Sequence, residues 1–392
     1  MDQTIPSPPI PAISNAARGH LALSMVPEIG PIRARNLVKH FGSIDAVFAA
    51  SVTELQRVEQ VGEKTARSIF AGRNNQEAVE REISRAAECG VQILCPEDAE
   101  YPQSLLHIPD PPICLYVRGR LEPADGIAIA IVGTRRCSHY GQEQAMRFGE
   151  QLGAAGFTVV SGLARGIDGC AHRGALQGGG RTIAVLGNGL SEIYPAEHES
   201  LARDIEKAGA VVSELPIDVG PDAKNFPGRN RIITGLSLGV LVIEAGKTSG
   251  ALITARLALD YNREVFALPG RIDRPELTAG VNAMIRDGHA KLVTCLDDIL
   301  DELAEVGQVM KRNADASASD RAAHATERIS AYRLAEHEQT VLDAIRVGAE
   351  NADAICAATP LDTGRVMSTL TTLELRGLVT RLPGNRFELK QR

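Results

Sequence analysis

The chain has 392 residues, 44% hydrophobic and 23% charged, which at about 100–200 residues per domain is enough for two to four domains with real cores. Its 42 Lys+Arg against 49 Asp+Glu give a formal net charge of −7, so bulk attraction to a polyanion is excluded and any nucleic-acid contact must come from a local patch. The composition also excludes a disordered, collagenous or coiled-coil chain, and no apolar stretch approaches the roughly 18 residues of a membrane span.

Residues 1–14 (MDQTIPSPPIPAIS) are Pro-rich, without a basic n-region or an apolar h-region. They read as a disordered tail rather than a signal peptide, which makes the cytoplasm the expected location and leaves no membrane partner. The seven cysteines are scattered, odd in number and without a CxxC. A disulfide framework and a thiolate zinc site both lack support. The nine histidines form no HExxH pair, so no metal is assigned and no cofactor is expected.

Residues 15–75 read as short helices with an internal repeat. Val26, Ile29, Gly30 and Ala34 recur at a constant offset as Val58, Val61, Gly62 and Ala66. A turn Gly followed by a close-packing Ala is the spacing of a helix-hairpin-helix, in which backbone N–H groups and a helix N-terminus can face a phosphate. The usual DNA-binding form has Gly at both hairpin positions; here the first is Glu28 in one copy and Gln60 in the other. Two readings stand open: a DNA-contacting module, or paired helical hairpins without DNA contact.

Apolar runs alternate with helical stretches across residues 76–305. GIAIAIVGTRR passes through Gly133 into a turn. FTVVSGLARGIDGCAHRGAL holds a strand to Val160, a Gly-containing turn and a helix from about Ile167. RTIAVLGNGL turns at Gly187, Asn188 and Gly189, and AVVSEL, SLGVLVIEAG and REVFALPGRI continue the plan. The pattern predicts right-handed βαβ units around a parallel sheet, that is, a Rossmann-like, doubly wound α/β fold.

Three familiar signatures nearly occur in this zone. Gly246, Lys247 and Thr248 end a Walker A motif, but Leu241 stands where its first Gly belongs. Gly187 and Gly189 begin a dinucleotide fingerprint, but Glu192 replaces its third Gly. Ser161 lies between Val160 and Gly162, which is not a nucleophile elbow. ATPase, NAD enzyme and α/β-hydrolase all lose weight. What remains is a set of turns carrying arginines: Arg135 and Arg136, then Arg165, then Arg229 and Arg231 in FPGRNRIITGLS. In an open parallel sheet the ligand crevice lies outside the carboxyl ends of the strands. Arginine forks match phosphate oxygens, and Gly162, Gly166, Gly187, Gly189 and Gly250 allow backbone N–H groups close to an anion. The crevice is therefore expected to hold phosphate. Glu214 and Glu244 sit near strand ends as neutralising partners or bases. No nucleophile stands beside them at a recognisable spacing, so no enzyme is expected.

Residues 306–332 are rich in Ala, Ser, Asp and Arg without an apolar period and read as a linker. Residues 333–392 fit a winged helix. A first helix spans 338–345, a recognition-type helix spans 362–375, and residues 378–389 form two short strands around a wing at Pro383, Gly384 and Asn385. Eight basic and eight acidic residues over 333–392 make this zone neutral, which favours a protein contact or weak DNA binding.

The combination of segments resembles the DNA-processing protein A (DprA, or Smf) family. It is carried by I-V-G-T-R-R at 131–136, S-G-L-A-R-G-I-D-G-x-A-H at 161–172, G-N-G-L-x-x-x-Y-P at 187–195, F-P-x-R-N-R-I-I-T-G-L-S at 226–237, S-G-A-L-I-T-A at 249–255 and P-G at 269–270. The resemblance extends to both flanking domains. It implies a Rossmann-like domain that binds single-stranded DNA, forms a homodimer and hands the strand to RecA during natural transformation, without ATP hydrolysis or metal. It assigns a backbone contact to Arg135 and a bordering role to Gly187, Asn188, Gly189 and Tyr194. Many relatives carry Lys after Tyr-Pro; here that position is Ala196, which removes one expected phosphate contact.

Two other functions fit parts of the chain. A nucleotide N-glycoside hydrolase of the lysine-decarboxylase-like group would need P-G-G-x-G-T, from which residues 245–250 depart. A winged-helix transcriptional regulator is opposed by the neutral C-terminal charge. For the dimer, the stretch 252–286 carries Ile253, Leu257, Leu259, Val265, Phe266, Leu268, Val281 and Ile285, more apolar groups than one helix and one strand need.

Overall fold

A computed structural model describes residues 13–73, 75–303, 306–311, 335–375, 378–382 and 386–389. Most of the expected N-terminal tail, most of the expected linker and the Pro383–Asn385 wing lie outside these residues. The chain divides into two compact units, Met1–Asn313 and Ala314–Arg392.

The first unit opens with helices Asn15–Ser24, Pro31–Phe41, Ile44–Ala49, Val52–Leu55 and Glu63–Gly72. Serines start three of them. Ser14, Ser43 and Ser51 each accept a hydrogen bond from a backbone N–H of the first turn, and Glu54 completes a capping box with Ser51. The repeat noted in the sequence packs into one core, with Val26, Ile29, Ala34, Val58, Val61 and Ala66 all buried together. Glu28 and Gln60 take left-handed backbone angles, φ 68° and 67°. The turn therefore keeps its shape although neither position is Gly, at a conformational cost of about 1 kcal/mol each. Gly30 and Gly62 are extended N-caps of the second helices. The Glu28 carboxylate pairs with Lys64 across the two hairpins.

A nine-stranded sheet follows, with strands β1 (Gln92–Leu94), β2 (Leu115–Gly119), β3 (Ala128–Gly133), β4 (Thr158–Ser161), β5 (Thr182–Val185), β6 (Ala210–Ser213), β7 (Gly239–Ile243), β8 (Glu264–Ala267) and β9 (Lys291–Leu292). Their order is β1-β2-β6-β5-β4-β3-β7-β8-β9. From β6 to β9 every pairing is parallel. β2 runs antiparallel to β6, and β1 antiparallel to β2. The sequence pattern carries the parallel part; the two antiparallel edge strands extend it.

The central strands are mostly apolar and buried, even at Thr158, Ser161, Thr182 and Ser213, because both faces are covered. Ala128, Ala130 and Val132 point into one core with Val160, Val240 and Val242, while Ile129 and Ile131 alternate onto the other face and are equally buried. Helices His139–Ala155 and Ile167–Gln177 pack against each other so closely that a Cβ on Gly149 would lie 2.5 Å from the Ala171 carbonyl oxygen. Chain order reverses at β3, whose neighbours are β4 on one side and β7 on the other. That is the topological switch point of the sheet, and it fixes where a ligand crevice opens.

The second unit, taken by itself, has helices Glu336–Arg346, Ala352–Ala358 and Thr363–Leu375. Strands β10 (Val379–Leu382) and β11 (Arg386–Leu389) pair antiparallel. Val341, Leu342, Ile355, Val366, Leu370 and Phe387 form its core. Asp362 caps the third helix rather than lying on it: its Oδ1 accepts from the Arg365 N–H at 3.0 Å. The exposed side of that helix carries one cation, Arg365, together with Ser368, Thr371 and Glu374. It has no basic face.

Candidate nucleic-acid interface

The turn leaving β3 forms one lip of the crevice. The Thr134 N–H donates to the Glu244 carbonyl at 2.8 Å, and the Thr134 carbonyl accepts from the Ile167 N–H at 3.4 Å. The turn is thus pinned between the end of β7 and the start of helix Ile167–Gln177. Past this anchor Arg135 and Arg136 are exposed, and neither has a carboxylate partner among the described residues. Arg135 stands over the Phe226 ring at 5.0 Å from guanidinium carbon to centroid. Tyr194 is tilted toward the same ring at 5.9 Å and 50°. An unpaired cation over one half-buried aromatic ring and close to a second, with another exposed cation next to it in the chain, suits a strand that alternates phosphates with flat bases.

Glu244, across the switch point, is not an open base. It is 4% exposed, and its carboxylate accepts from the Ser138 N–H at 2.8 Å and from the Ser138 hydroxyl. It holds the N-terminus of helix His139–Ala155, where a negative charge is favoured. Lys247, in the turn after β7, and Lys224, which precedes helix Asn225–Gly235, are both exposed.

The remaining arginines have partners within the protein. The sequence places Arg229 and Arg231 in a loop-like segment; the fold puts them on helix Asn225–Gly235, 5% and 7% exposed. Arg229 donates to the Gly162 carbonyl at 2.8 Å and to the Val185 carbonyl, so it ties the ends of β4 and β5 together. A Cβ on Gly162 would collide with this guanidinium, which is why only Gly fits there. Burial pulls Arg229 down to about 10, the Asp168 carboxylate pulls it back up and Arg135 pushes it down. It therefore remains charged at neutral pH. Asp168 in turn is raised, because burial outweighs the attraction of Arg229 and the hydrogen bonds from Gly162 and Ala164. Arg231 pairs with Asp110 at 3.2 Å and with Glu214. Arg165 is exposed but forked onto Glu197 at 2.6 and 2.7 Å.

The glycine turns are also partly committed. The Gly162 N–H donates to Asp168 at 3.1 Å, and the Gly189 N–H to the Val219 carbonyl at 2.7 Å. Asn188 is buried and donates to the carbonyls of Gly189 and Glu192. Gly133 ends β3 opposite Ile243, packed against the Ile243 carbonyl and Ile167. Gly187 packs on Phe226, where a Cβ would sit 2.9 Å from the ring. The structure thus brings Arg135, Gly187 and Tyr194 around Phe226, with Arg136 exposed on the same turn as Arg135. It uses Gly162, Asn188, Gly189 and Arg229 as the layer beneath, and it pairs Arg231 with Asp110 and Glu214. Phe226 was missed in the sequence, although it opens the quoted F-P-x-R-N-R segment. Aromatic residues are only 4% of this chain, and that scarcity is the signal that could have singled it out.

The fold and crevice define a Rossmann-like α/β protein with exposed arginines at its switch point, joined to helix-hairpin-helix and winged-helix modules. The chain belongs to the DNA recombination-mediator protein A family, whose family model matches residues 92–304. The DprA winged helix domain matches residues 325–385, and a helix-hairpin-helix motif matches residues 20–79. Among relatives, the chain is 35% identical over 390 residues to the protein Smf of Synechocystis, covering 94% of this chain and 97% of that one. It is 52% identical over 212 residues to the protein Smf of Escherichia coli, covering 54% of this chain and 56% of that one. The X-ray structure of DNA processing protein A from Streptococcus pneumoniae is similar at TM-score 0.64 and 32% identity, over 74% of this chain and 99% of that one. No helix among the described residues is long and apolar enough to cross a membrane.

Proposed function

We propose that this chain is a non-enzymatic mediator that binds single-stranded DNA along the β3 switch point and hands it to RecA during natural transformation in the cytoplasm. The observation that carries the reading is Arg135, exposed, without a carboxylate partner and stacked over Phe226 with Tyr194 beside it. Arg135 and Arg136 take phosphates, while Phe226 and Tyr194 offer faces to unpaired bases. A duplex keeps its bases stacked on each other, so this arrangement favours a single strand. Arg229, Asp168 and Asn188 hold the turns in place without touching the strand. Glu244 is occupied by Ser138, which argues against the glycoside hydrolase, and the neutral third helix of the second unit argues against a transcriptional regulator. RecA and transformation rest on family membership.

The dimer is part of the same proposal. Of the apolar residues singled out in 252–286, Val265, Phe266, Leu268 and Val281 fill the core. Ile253 and Leu259 remain exposed, and Ile272, at 91%, and Leu292 add to them. Leu292 lies on β9, the short edge strand of the sheet, which suits an isologous contact. Two crevices on one dimer raise the local concentration for a single strand.

The test is a salt titration of oligothymidine binding to wild type and Arg135→Glu, with sedimentation of both. Two to four phosphate contacts give a log–log slope of roughly −1.4 to −2.8, about −0.7 per contact. Arg135→Glu should weaken binding by at least about tenfold at low salt and flatten that slope, while both proteins sediment as dimers. An unchanged titration with a folded variant contradicts the site, and a monomer mass contradicts the dimer.

A further inference from the structure

Away from the crevice, helix Asn15–Ser24 meets the loop that follows β1. Three side chains from these distant parts of the chain face one another there. The Glu97 carboxylate receives His20 Nε2 at 2.9 Å on Oε1 and the Cys95 thiol at 3.2 Å on Oε2. One ligand-type atom from each residue lies within 4.8 Å of the other two, and this is the one such group of His, Cys and acidic residues among the described residues. His20 and Cys95 are buried, while Glu97 reaches solvent. The second ring nitrogen of His20, Nδ1, is buried and has no hydrogen-bond partner among the described residues. Among the described residues, Nε2 is thus the ring nitrogen with a polar partner, and that partner is Glu97.

We propose that His20, Cys95 and Glu97 form a binding site for a divalent cation of the zinc class, clamping the helical N-terminal domain to the α/β domain. The donor set is one imidazole nitrogen, one sulfur and one carboxylate oxygen, which matches zinc and disfavours magnesium and calcium. Zinc needs these atoms at about 2.0–2.3 Å from the ion, so they must close in slightly from their present spacing. The thiol proton leaves to solvent as the Zn–S bond forms, and His20 gives up its Nε2 proton, the neutral ring keeping its hydrogen on Nδ1, so that the Nε2 lone pair takes the metal. The hydrogen bonds to Glu97 are replaced by three metal bonds, and water completes the tetrahedron on the exposed side of Glu97. Without the ion, burial keeps the Cys95 thiol protonated and His20 holds Glu97 below the ordinary carboxylate range. The sequence hides the site because His20 and Cys95 share no motif and Cys95 has no CxxC partner.

The functional consequence is a clamp independent of DNA binding. The full-length protein, stripped of metal by chelation, is titrated with cobalt(II) alone and with zinc(II) alone. Stoichiometric cobalt should give a thiolate charge-transfer band and the intense visible bands of a tetrahedral site, and zinc should displace both and raise the melting temperature. Cys95→Ser should abolish the charge-transfer band. Glu97→Gln, an exposed and milder change, should weaken cobalt binding by about tenfold or more. Cys295→Ser, at an exposed thiol elsewhere, should change nothing. Absence of the charge-transfer band in wild type, or a band that survives Cys95→Ser, overturns the proposal. Should Cys95→Ser fail to fold, the wild-type titration and Glu97→Gln still decide it.

Discussion

The guanidinium groups of Arg135 and Arg229 stand 5.0 Å and 5.9 Å from the centre of the same Phe226 ring, yet one is exposed and the other buried. The difference lies in what the backbone offers each of them. Arg229 rises from a helix into the gap between the ends of β4 and β5, where two carbonyls and the Asp168 charge satisfy it. Arg135 leaves a turn whose own polar groups are already bonded to Glu244 and Ile167, so its charge has no internal partner. One residue type thus serves two layers of a crevice, an inner layer that fixes the strand ends and an outer layer left open to solvent, where the proposed strand would lie. An arginine's role here follows from the acceptors around it rather than from its place in a motif.

The largest effect is expected in the inner layer. Arg229→Met leaves Asp168 buried without its counter-charge and frees two strand-end carbonyls. Each buried carbonyl left without its donor costs about 1–3 kcal/mol, so chemical denaturation should show a loss of about 2–6 kcal/mol. Adding Asp168→Asn should recover part of it. A stability within experimental error of wild type would erase the distinction between the layers.

The next effect is a pH dependence from the same interior. His172 is fully buried, with Nδ1 2.7 Å from the Thr182 hydroxyl. That hydroxyl donates to the Val159 carbonyl, so it accepts from His172 Nδ1–H and the free lone pair lies on Nε2. Nε2 is buried without a partner. Protonation has nowhere to be solvated, and burial, with the nearby His198, Arg173 and Arg229, lowers His172 to about 3. The ordinary value is 6.5. The unfolded chain therefore binds a proton that the folded chain refuses, so this stability is fully present above 6.5 and falls as the pH drops from there toward 3. Between pH 6.5 and pH 4 the loss should be about 3 kcal/mol. Denaturation at stepped pH should show this slope in wild type and its absence in His172→Gln. Equal slopes would place the proton elsewhere.

The smallest effect sits on the shared ring. Phe226→Leu keeps apolar bulk above Arg229 and removes the flat face, so single-strand affinity should fall by about 1–3 kcal/mol while the salt slope stays as in wild type. A flattened slope would mean that the ring acts by positioning Arg135 rather than by stacking.

The alternation of apolar strands and helices, and the hairpin repeat, are legible in the sequence because burial on both faces of a sheet and close helix packing leave a period. The antiparallel pair β1 and β2 is not, because QIL and LYVRG are too short to carry one. The position of Arg135 is legible for the same reason as the sheet, since a turn after an apolar strand at a switch point has few places to go. Arg229 and Arg231 mislead because their chemistry is that of a ligand contact, while their burial depends on Asp168, Asp110 and Glu214, which are remote in sequence. The left-handed Glu28 and Gln60 show the converse, where a backbone shape outlives the glycine that usually marks it.

The central claim is that a single strand lies on the outer layer and leaves the inner one untouched. A structure of the full-length protein with a short oligothymidine tests this directly. The account predicts phosphates against Arg135 and Arg136, a base on Phe226, and Arg229 still bonded to the carbonyls of Gly162 and Val185. A strand bound elsewhere, with the Arg135 turn empty, or a phosphate seated on Arg229 in place of those carbonyls, would contradict it.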